Sequence, residues 1–379
     1  MKRVERIALP SPSPGTERHL VVRRYGREGA RPKAYIHASL HADETPPMLV
    51  LHHLARMLDE AAETGAIKGE IILVPYANPI GLDQEVGSTH VGRHDLANGA
   101  NFNRAWPDLS EAVAARIDGK LGSDVRANEA LARQALREAA AELGARTPLT
   151  HMKRAISMLA ADADIVLDCH CDSEALMYLY LSTANWPDGA DLHAETGSRA
   201  TFVSVDPGGG SFEDVWSAQW RKLRERFGED RLPQGCLAAT VEYRGQQDMD
   251  DALSGDDARR LYRFLQRRGA VAGDPGPLPA PKGEAVDLEA VEMARAPVAG
   301  LVAYRVKLGD VVAAGAHLAD IVDPSADDPK TARTPVHSET AGLILSRSGP
   351  RFVRQGQVIA KVIGKEKLPG RVGGYLLED

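Results

Sequence analysis

The chain is poor in cysteine. Its 379 residues include only three, too few for a disulfide framework, and reduced thiols are the expected state. Long hydrophobic runs are missing too: no uninterrupted apolar stretch approaches the roughly 18 residues that span a bilayer. The start, Met1-Lys2-Arg3-Val4-Glu5-Arg6, leads into Pro and Ser rather than an apolar segment. No secretory signal is therefore expected, and a cytoplasmic location is. Positive charge is not in excess. A formal net charge of -7 gives no support to a nucleic-acid or anionic-membrane partner. Gly208-Gly209-Gly210 before Ser211 could form an anion-binding turn, but it lacks the Lys-Ser/Thr of a P-loop, which argues against nucleotide. What is present, 43% hydrophobic and 26% charged residues, is ordinary soluble composition, with length enough for two domains.

The first ~270 residues alternate strand-like and helix-like segments. Ala34 to Leu40, Glu70 to Pro75, Asp164 to Cys169, Ala200 to Val205 and Ala238 to Tyr243 are short and nearly continuously apolar, as suits central strands covered on both faces. Helical periodicity is expected at Pro46 to Glu63, Asp124 to Leu143, Thr150 to Ala161, Phe212 to Phe227 and Asp250 to Arg268. The fold class is thus α/β, a central sheet with helices on both faces, and ligands in such sheets bind at the carboxyl ends of strands. Residues 1–272 form the expected catalytic domain. A stiff linker is placed at 273–287, where Gly273 to Lys282 carries four prolines. Residues 288–379 form a small all-β domain with an imperfect internal repeat, Gly300-Leu301-Val302 leading to Gly309-Asp310-Val311-Val312 and Gly342-Leu343-Ile344 leading to Gly356-Gln357-Val358-Ile359.

Two strand ends carry the candidate chemistry. His41-Ala42-Asp43-Glu44 closes one apolar run, and Asp168-Cys169-His170 closes another. His41, Glu44 and His170 make three metal ligands and leave a fourth position for water, which is how catalytic rather than structural zinc is held; the same set suits several divalent metals. His317-Leu318-Ala319-Asp320 repeats the spacing without a second imidazole and reads as surface. Asp168, two residues from His170, shares its side of a strand and could orient that ring. Cys169 and Cys171 would face the other way. Glu242, in an apolar strand, must be paired, protonated or functional and is the candidate general base. Arg93 could hold a carbonyl oxygen as charge develops. Asn103-Arg104 could grip a carboxylate.

Other histidines carry blander readings. His37 is expected as a satisfied core histidine, His52 and His53 as helix surface, and either His90 or His94 as a residue that could reach the pocket from a loop. Tyr243 should face away from Glu242, and Trp106, Trp216 and Trp220 are expected in packing.

Taken together, His41-x-x-Glu44, Arg93, Asn103-Arg104, Asp168-x-His170 and Glu242 resemble the succinylglutamate desuccinylase/aspartoacylase family of the wider zinc carboxypeptidase-like group. The resemblance implies a mixed sheet flanked by helices, with one zinc on His41, Glu44 and His170. It also implies Glu242 as base and proton shuttle, Arg93 on the scissile carbonyl, and Asn103 and Arg104 on a substrate carboxylate. The implied activity is hydrolysis of the amide of a small N-acyl amino acid, or of a C-terminal peptide bond in the carboxypeptidase branch. Cys169, where Leu is common, and the long insertion between Arg104 and Asp168 depart from the pattern. The tail looks like a biotinyl/lipoyl-type barrel-sandwich module, but its linking lysine, Lys330, lacks the attachment context, so a cap or homo-oligomer surface is expected. The rival from another class is a non-catalytic acyl-binding or carrier protein modified at Lys330.

Overall fold

A computed structural model of the chain describes residues 1–371, 373 and 376. In chain order it contains β1 (Lys2–Leu9), β2 (Arg18–Tyr25), β3 (Lys33–Ala38), α1 (Pro46–Glu63), β4 (Glu70–Val74) and the hairpin β5 (Glu85–Val86) and β6 (Thr89–His90). There follow α2 (Ser110–Ile117), α3 (Val125–Ala141), α4 (Pro148–Ala160), β7 (Ile165–Asp172), β8 (Glu174–Ala175), β9 (Tyr178–Ser182), α5 (Ala190–Thr196) and β10 (Ala200–Ser204). The first half closes with α6 (Phe212–Phe227), β11 (Leu237–Gly245), α7 (Asp251–Arg267) and β12 (Glu284–Asp287). The remainder is β13 (Val291–Arg295), β14 (Gly300–Tyr304), β15 (Val311–Val312), β16 (His317–Val322), β17 (Arg333–His337), β18 (Gly342–Arg347), β19 (Phe352–Val353) and β20 (Val358–Ile363).

Nine strands form one mixed sheet in the order β1-β2-β4-β3-β7-β11-β9-β10-β12. Its centre, β4-β3-β7-β11, is parallel, and every residue of β3 and β4 is buried. Such strands must be covered on both faces, and they are. One face packs against α2, α3, α4 and α6 through residues such as Val113, Leu136, Ile156 and Trp220. The other packs against α1 and α7 through Leu54, Leu58, Leu261 and Phe264. Pro46 and Pro47 open α1, where the missing N–H groups cost no hydrogen bond. Trp106, Trp216 and Trp220 lie in the core, as expected.

The structure differs from the sequence reading in three places. Strands β1, β2 and β9 carry polar or aromatic residues that masked them, and β1 is mostly exposed because it is the sheet edge. The linker expected over 273–287 does not run free to its end: Glu284–Asp287 pairs parallel with Ala200–Val203 as the opposite edge strand. Gly283 has no room for a Cβ, which would lie 2.0 Å from the Arg199 oxygen, so the chain meets the sheet backbone to backbone. Lastly, the first half lends β8 to the C-terminal sheet, where it pairs with β18.

The C-terminal residues form antiparallel sheets around Leu318, Ile321, Ile344 and Val362. Their internal repeat is visible in the pairing: β19 joins β14 at Gly300 and Leu301, and β15 joins β18 at Gly342 and Leu343. Lys330 lies exposed in the turn between β16 and β17.

Candidate active site

The parallel strands end together, and their carboxyl ends carry the site. β3 stops at Ala38, and Ser39 takes a positive φ of 56°. This reversal carries His41 and Glu44 over the end of the sheet before α1 begins. In the neighbouring strand β7, His170 lies opposite Glu242 of β11. The ladder then slips between Glu242 and Gly245, with Arg244 at φ 62°; a bulge beside an active site re-aims the strand end. Gly92 brings the next loop in: a Cβ there would sit 2.3 Å from the Asp43 nitrogen, while its carbonyl accepts the Ala42 N–H at 2.9 Å. Arg93 is thereby held against the His41–Glu44 segment.

His41, Glu44 and His170 are buried, and their ligand atoms all lie within 4.8 Å of one another. His170 Nδ1 is 2.7 Å from Glu44 Oε2, and His41 Nδ1 is 3.0 Å from Glu44 Oε1. The far side of each ring is committed. The Asn103 N–H donates to Asn101 Oδ1 at 2.9 Å, which fixes that amide's orientation, so His41 Nε2, 2.9 Å away, is the donor to it. His170 Nε2 lies 2.7 Å from Asp168 Oδ1 and 3.2 Å from Asn103 Nδ2. Both Nδ1 atoms face the Glu44 carboxylate, an arrangement that calls for a proton or a cation between them. This donor set fits a divalent metal.

The electrostatics agree with the geometry. Burial pushes the His41 imidazole down, toward the neutral form. Burial would raise the Glu44 carboxyl, but His170 and His41 outweigh it and hold it well below the usual range. Burial likewise disfavours protonated His170, yet the Asp168 and Glu44 carboxylates raise it well above its ordinary value. Arg93 Nη1 adds positive charge at 3.2 Å from His41 Nδ1 and 3.5 Å from Glu44 Oε1.

Asp168 lies on the side of the strand that the alternation predicts, and it does more than orient one ring. Its Oδ1 also accepts from His37 Nε2 at 2.6 Å, and Tyr35 OH donates to His37 Nδ1 at 2.9 Å. His37 is thus a satisfied core histidine. Asn103 makes its side-chain hydrogen bonds within the protein. Its Nδ2 donates to Asp168 Oδ2 at 3.1 Å and its Oδ1 accepts the Phe212 N–H at 2.8 Å. The amide thus joins Asp168 to the start of α6, and Arg104 follows it in the loop. That side chain lies over Gly209 and donates from Nη1 to the Asn103 carbonyl at 2.9 Å.

Glu242 faces the same cavity. Burial pushes its carboxyl up to about 8, with the Glu44 and Asp172 charges adding to the rise and His170 and Lys361 opposing it. Its Oε2 has no hydrogen-bond partner among the described residues. A buried carboxylate without a partner is costly, and holding the proton avoids that cost. The cavity, about 450 Å³, is walled by both halves of the chain: Arg93, Arg104 and Glu213 from the first, Met293, Arg347 and Lys361 from the second.

The remaining expectations resolve simply. Burial pushes the Cys171 thiol far up, and its N–H donates to Glu44 Oε2 at 3.1 Å. Tyr243 lies in the opposite core and does not line the cavity. Neither His90 nor His94 lines it; His90 Nε2 instead meets the Gly81 carbonyl at 3.0 Å. His53 meets Asp251 across two helices. His317 pairs with Asp320, which also binds Arg305 and Arg333 at the surface. No described helix is long and apolar enough to cross a membrane. Sequence reasoning missed Asn101, Asp172, Tyr178, Glu213 and Lys361. Only Lys361 left a signal, as a lone charge inside the apolar run Val358 to Ile363.

The family model of the succinylglutamate desuccinylase/aspartoacylase catalytic domain matches residues 30–219. The chain belongs to that family and is a hydrolase of the desuccinylase/aspartoacylase type. A succinylglutamate desuccinylase/aspartoacylase family protein from Shewanella amazonensis SB2B is 25% identical, with a TM-score of 0.82 over 96% of this chain and 99% of its own. A candidate succinylglutamate desuccinylase/aspartoacylase from Shewanella frigidimarina NCIMB 400 is 23% identical, with a TM-score of 0.83 over 96% and 97%. The product-bound ectoine utilization protein of Ruegeria pomeroyi shares the fold at 17% identity and a TM-score of 0.66 over 95% and 94%. A comparison with curated proteins gives no match.

Proposed function

We propose that this chain is a zinc-dependent deacylase that hydrolyses the amide bond of a small N-acyl amino acid or related carboxylate. The observation that carries the reading is the convergence of two Nδ1 atoms and the Glu44 carboxylate beside an unpartnered Glu242. His41, Glu44 and His170 would hold the metal, whose chemistry when bound is to polarise a carbonyl and acidify water.

The chain's own residues supply the rest. Arg104 binds the substrate carboxylate and fixes where the amide lies. Arg93 donates to the amide oxygen as negative charge builds on it. Glu242 Oε2 takes the proton of the attacking water and returns it to the leaving nitrogen. Asp168 and Asn101 hold the two imidazoles in the tautomer that keeps Nδ1 free. A cavity of about 450 Å³ closed on one side by the C-terminal strands favours a small substrate over a peptide. The C-terminal repeat is read as a barrel-sandwich module that serves as a wall of the site, not as a carrier arm.

The test is turnover of a panel of N-acyl amino acids and of short peptides by zinc-loaded protein, with Glu242→Gln alongside. Turnover of an N-acyl amino acid, lost in the variant while zinc is retained, is the expected result. Cleavage confined to peptides would replace this reading with a carboxypeptidase. Full turnover by Glu242→Gln would remove that residue from the proton transfers.

A further inference from the structure

The C-terminal strand β20 places one charged side chain in the catalytic cavity. Lys361 Nζ lies 2.6 Å from Asp172 Oδ2 and 3.1 Å from the Tyr178 hydroxyl, with the ammonium 5.3 Å from the centre of the Tyr178 ring. Tyr178 OH itself donates to Asp172 Oδ2 at 3.0 Å. The three groups close a triangle, and the Lys361 side chain is only 17% exposed.

The partners of Lys361 are next to the reacting groups in the sheet. Asp172 ends the strand that carries His170, two residues on. Tyr178 pairs with Glu242 on one side of β11, and His170 pairs with Glu242 on the other. Lys361 is close enough to Glu242 for each charge to act on the other. The intervening segment is held by the same C-terminal residues. Glu174 is paired with Arg347 at 2.8 Å and with Arg351, while Ala175 pairs with Ser346 and the Leu176 N–H donates to the Leu345 carbonyl at 3.0 Å. Two acids of the segment after His170 thus meet three bases of the C-terminal strands. Among the described residues, the other partners of Asp172 are the Ser173 N–H and the Tyr178 OH, neither of them a cation.

We propose that Lys361 is a positioning residue of the active site: from the C-terminal strands it clamps Asp172 and Tyr178, and through them sets the wall against which Glu242 and His170 stand. The all-β half is then part of the catalytic apparatus and not a detachable cap. This inference rests on the deacylase reading for its activity readout but not for its metal readout.

Zinc affinity, measured by competition with a chelator, and kcat and KM are compared for wild type, Lys361→Met and Lys361→Arg. Loss of the clamp lowers kcat by about tenfold or more in Lys361→Met, with KM moved less, and Lys361→Arg recovers most of it. Zinc affinity rises a few-fold, because a cation near the metal ligands has gone. A site that merely collapsed would lose zinc instead. Wild-type kcat in Lys361→Met, or zinc affinity falling in step with kcat, overturns the proposal. Because an unpaired Asp172 could unfold the chain, the pair is also removed together as Lys361→Met with Asp172→Asn. A folded double variant should keep the low kcat, and wild-type kcat in it overturns the clamp. If wild-type protein binds zinc but cleaves no N-acyl amino acid, the deacylase reading fails. The zinc comparison then decides the clamp alone, with a few-fold rise in Lys361→Met in its favour and an unchanged or lower affinity against it.

Discussion

His170 Nδ1 stands 2.7 Å from Glu44 Oε2, although 126 residues separate the two in sequence. The contact exists because the strand carrying His170 lies beside the one that leads into Glu44, joined in parallel register from Ala34↔Ile165 to Ala38↔Cys169. The Asp168 and Glu44 carboxylates hold a proton on His170 in this pair, and a bound cation would take that proton's place. The first prediction is therefore that purified protein binds about one zinc per chain, and that His41→Ala and His170→Ala each lose it. Elemental analysis of the three proteins is the measurement, with circular dichroism to show that the variants fold. Zinc retained in both variants would place the metal elsewhere.

Asp168 acts on the same site at one remove. Its carboxylate accepts from His170 and His37 together and from the Asn103 amide. Burial opposes ionisation there, but the two imidazoles hold the carboxyl well below the usual carboxylate range. Asp168→Asn keeps the size and removes the charge, so the His170 ring loses the partner that fixes its tautomer. Outer partners of this kind are worth about 10–100-fold in metal affinity, and a loss of that order is expected by chelator competition. Tyr35→Phe, at the far end of the chain Tyr35–His37–Asp168, should change the affinity much less, because His37 still donates to Asp168.

Glu242 gives the metal-free protein a pH dependence whose sign can be worked out. Its carboxyl is raised from 4.5 to about 8, chiefly by burial and then by the Glu44 charge. A group raised in the folded state favours folding while it is protonated. The contribution is complete below pH 4.5 and is lost as pH climbs through about 8. The melting temperature of zinc-free protein should therefore fall across that range, and Glu242→Gln should fall less. His170 titrates in the same sense, since it is also raised, so the difference between the two proteins is the quantity to follow. Parallel melting curves at every pH would show that Glu242 is not buried in this way.

How much of this site was legible in the sequence follows from what each residue's role depends on. His41, Glu44 and His170 are readable because a ligand at a strand end leaves a local mark: an apolar run, then a polar residue of metal-binding type. Helices Pro46–Glu63 and Phe212–Phe227 agree with the expected limits to the residue, since each has an amphipathic pattern and a clear start. Asn101 left no such mark. Its part depends on a backbone N–H two residues away and on an imidazole brought from residue 41. The internal bonds of Asn103 were not legible either, because Phe212, which takes its oxygen, lies 109 residues on. The edge strand Lys2–Leu9 was illegible for the opposite reason: with one face in water it has no need of the continuous apolar character that betrays β3 and β4.

Gly209 offers the most selective test of the carboxylate grip assigned to Arg104. It has φ +74°, and a Cβ built there would lie 2.7 Å from Arg104 Cδ and 2.9 Å from its Nε. Alanine at this position therefore carries two penalties, the left-handed backbone and a displaced guanidinium stem. Gly210 separates them. It has φ +58°, and its Cβ would come no nearer than 3.8 Å to anything, with the nearest atoms in Ala105 and Trp106. Gly210→Ala bears the backbone cost alone, about 1–2 kcal/mol, and should lower stability while leaving KM near wild type. Gly209→Ala should show a similar loss of stability and, in addition, a rise in KM of roughly tenfold or more, the scale of one charge-assisted hydrogen bond. Metal content should be unchanged in both, because neither glycine touches a ligand. Equal KM values in the two variants would mean that Arg104 can move without loosening the substrate, and the grip would have to be sought among the other bases of the cavity.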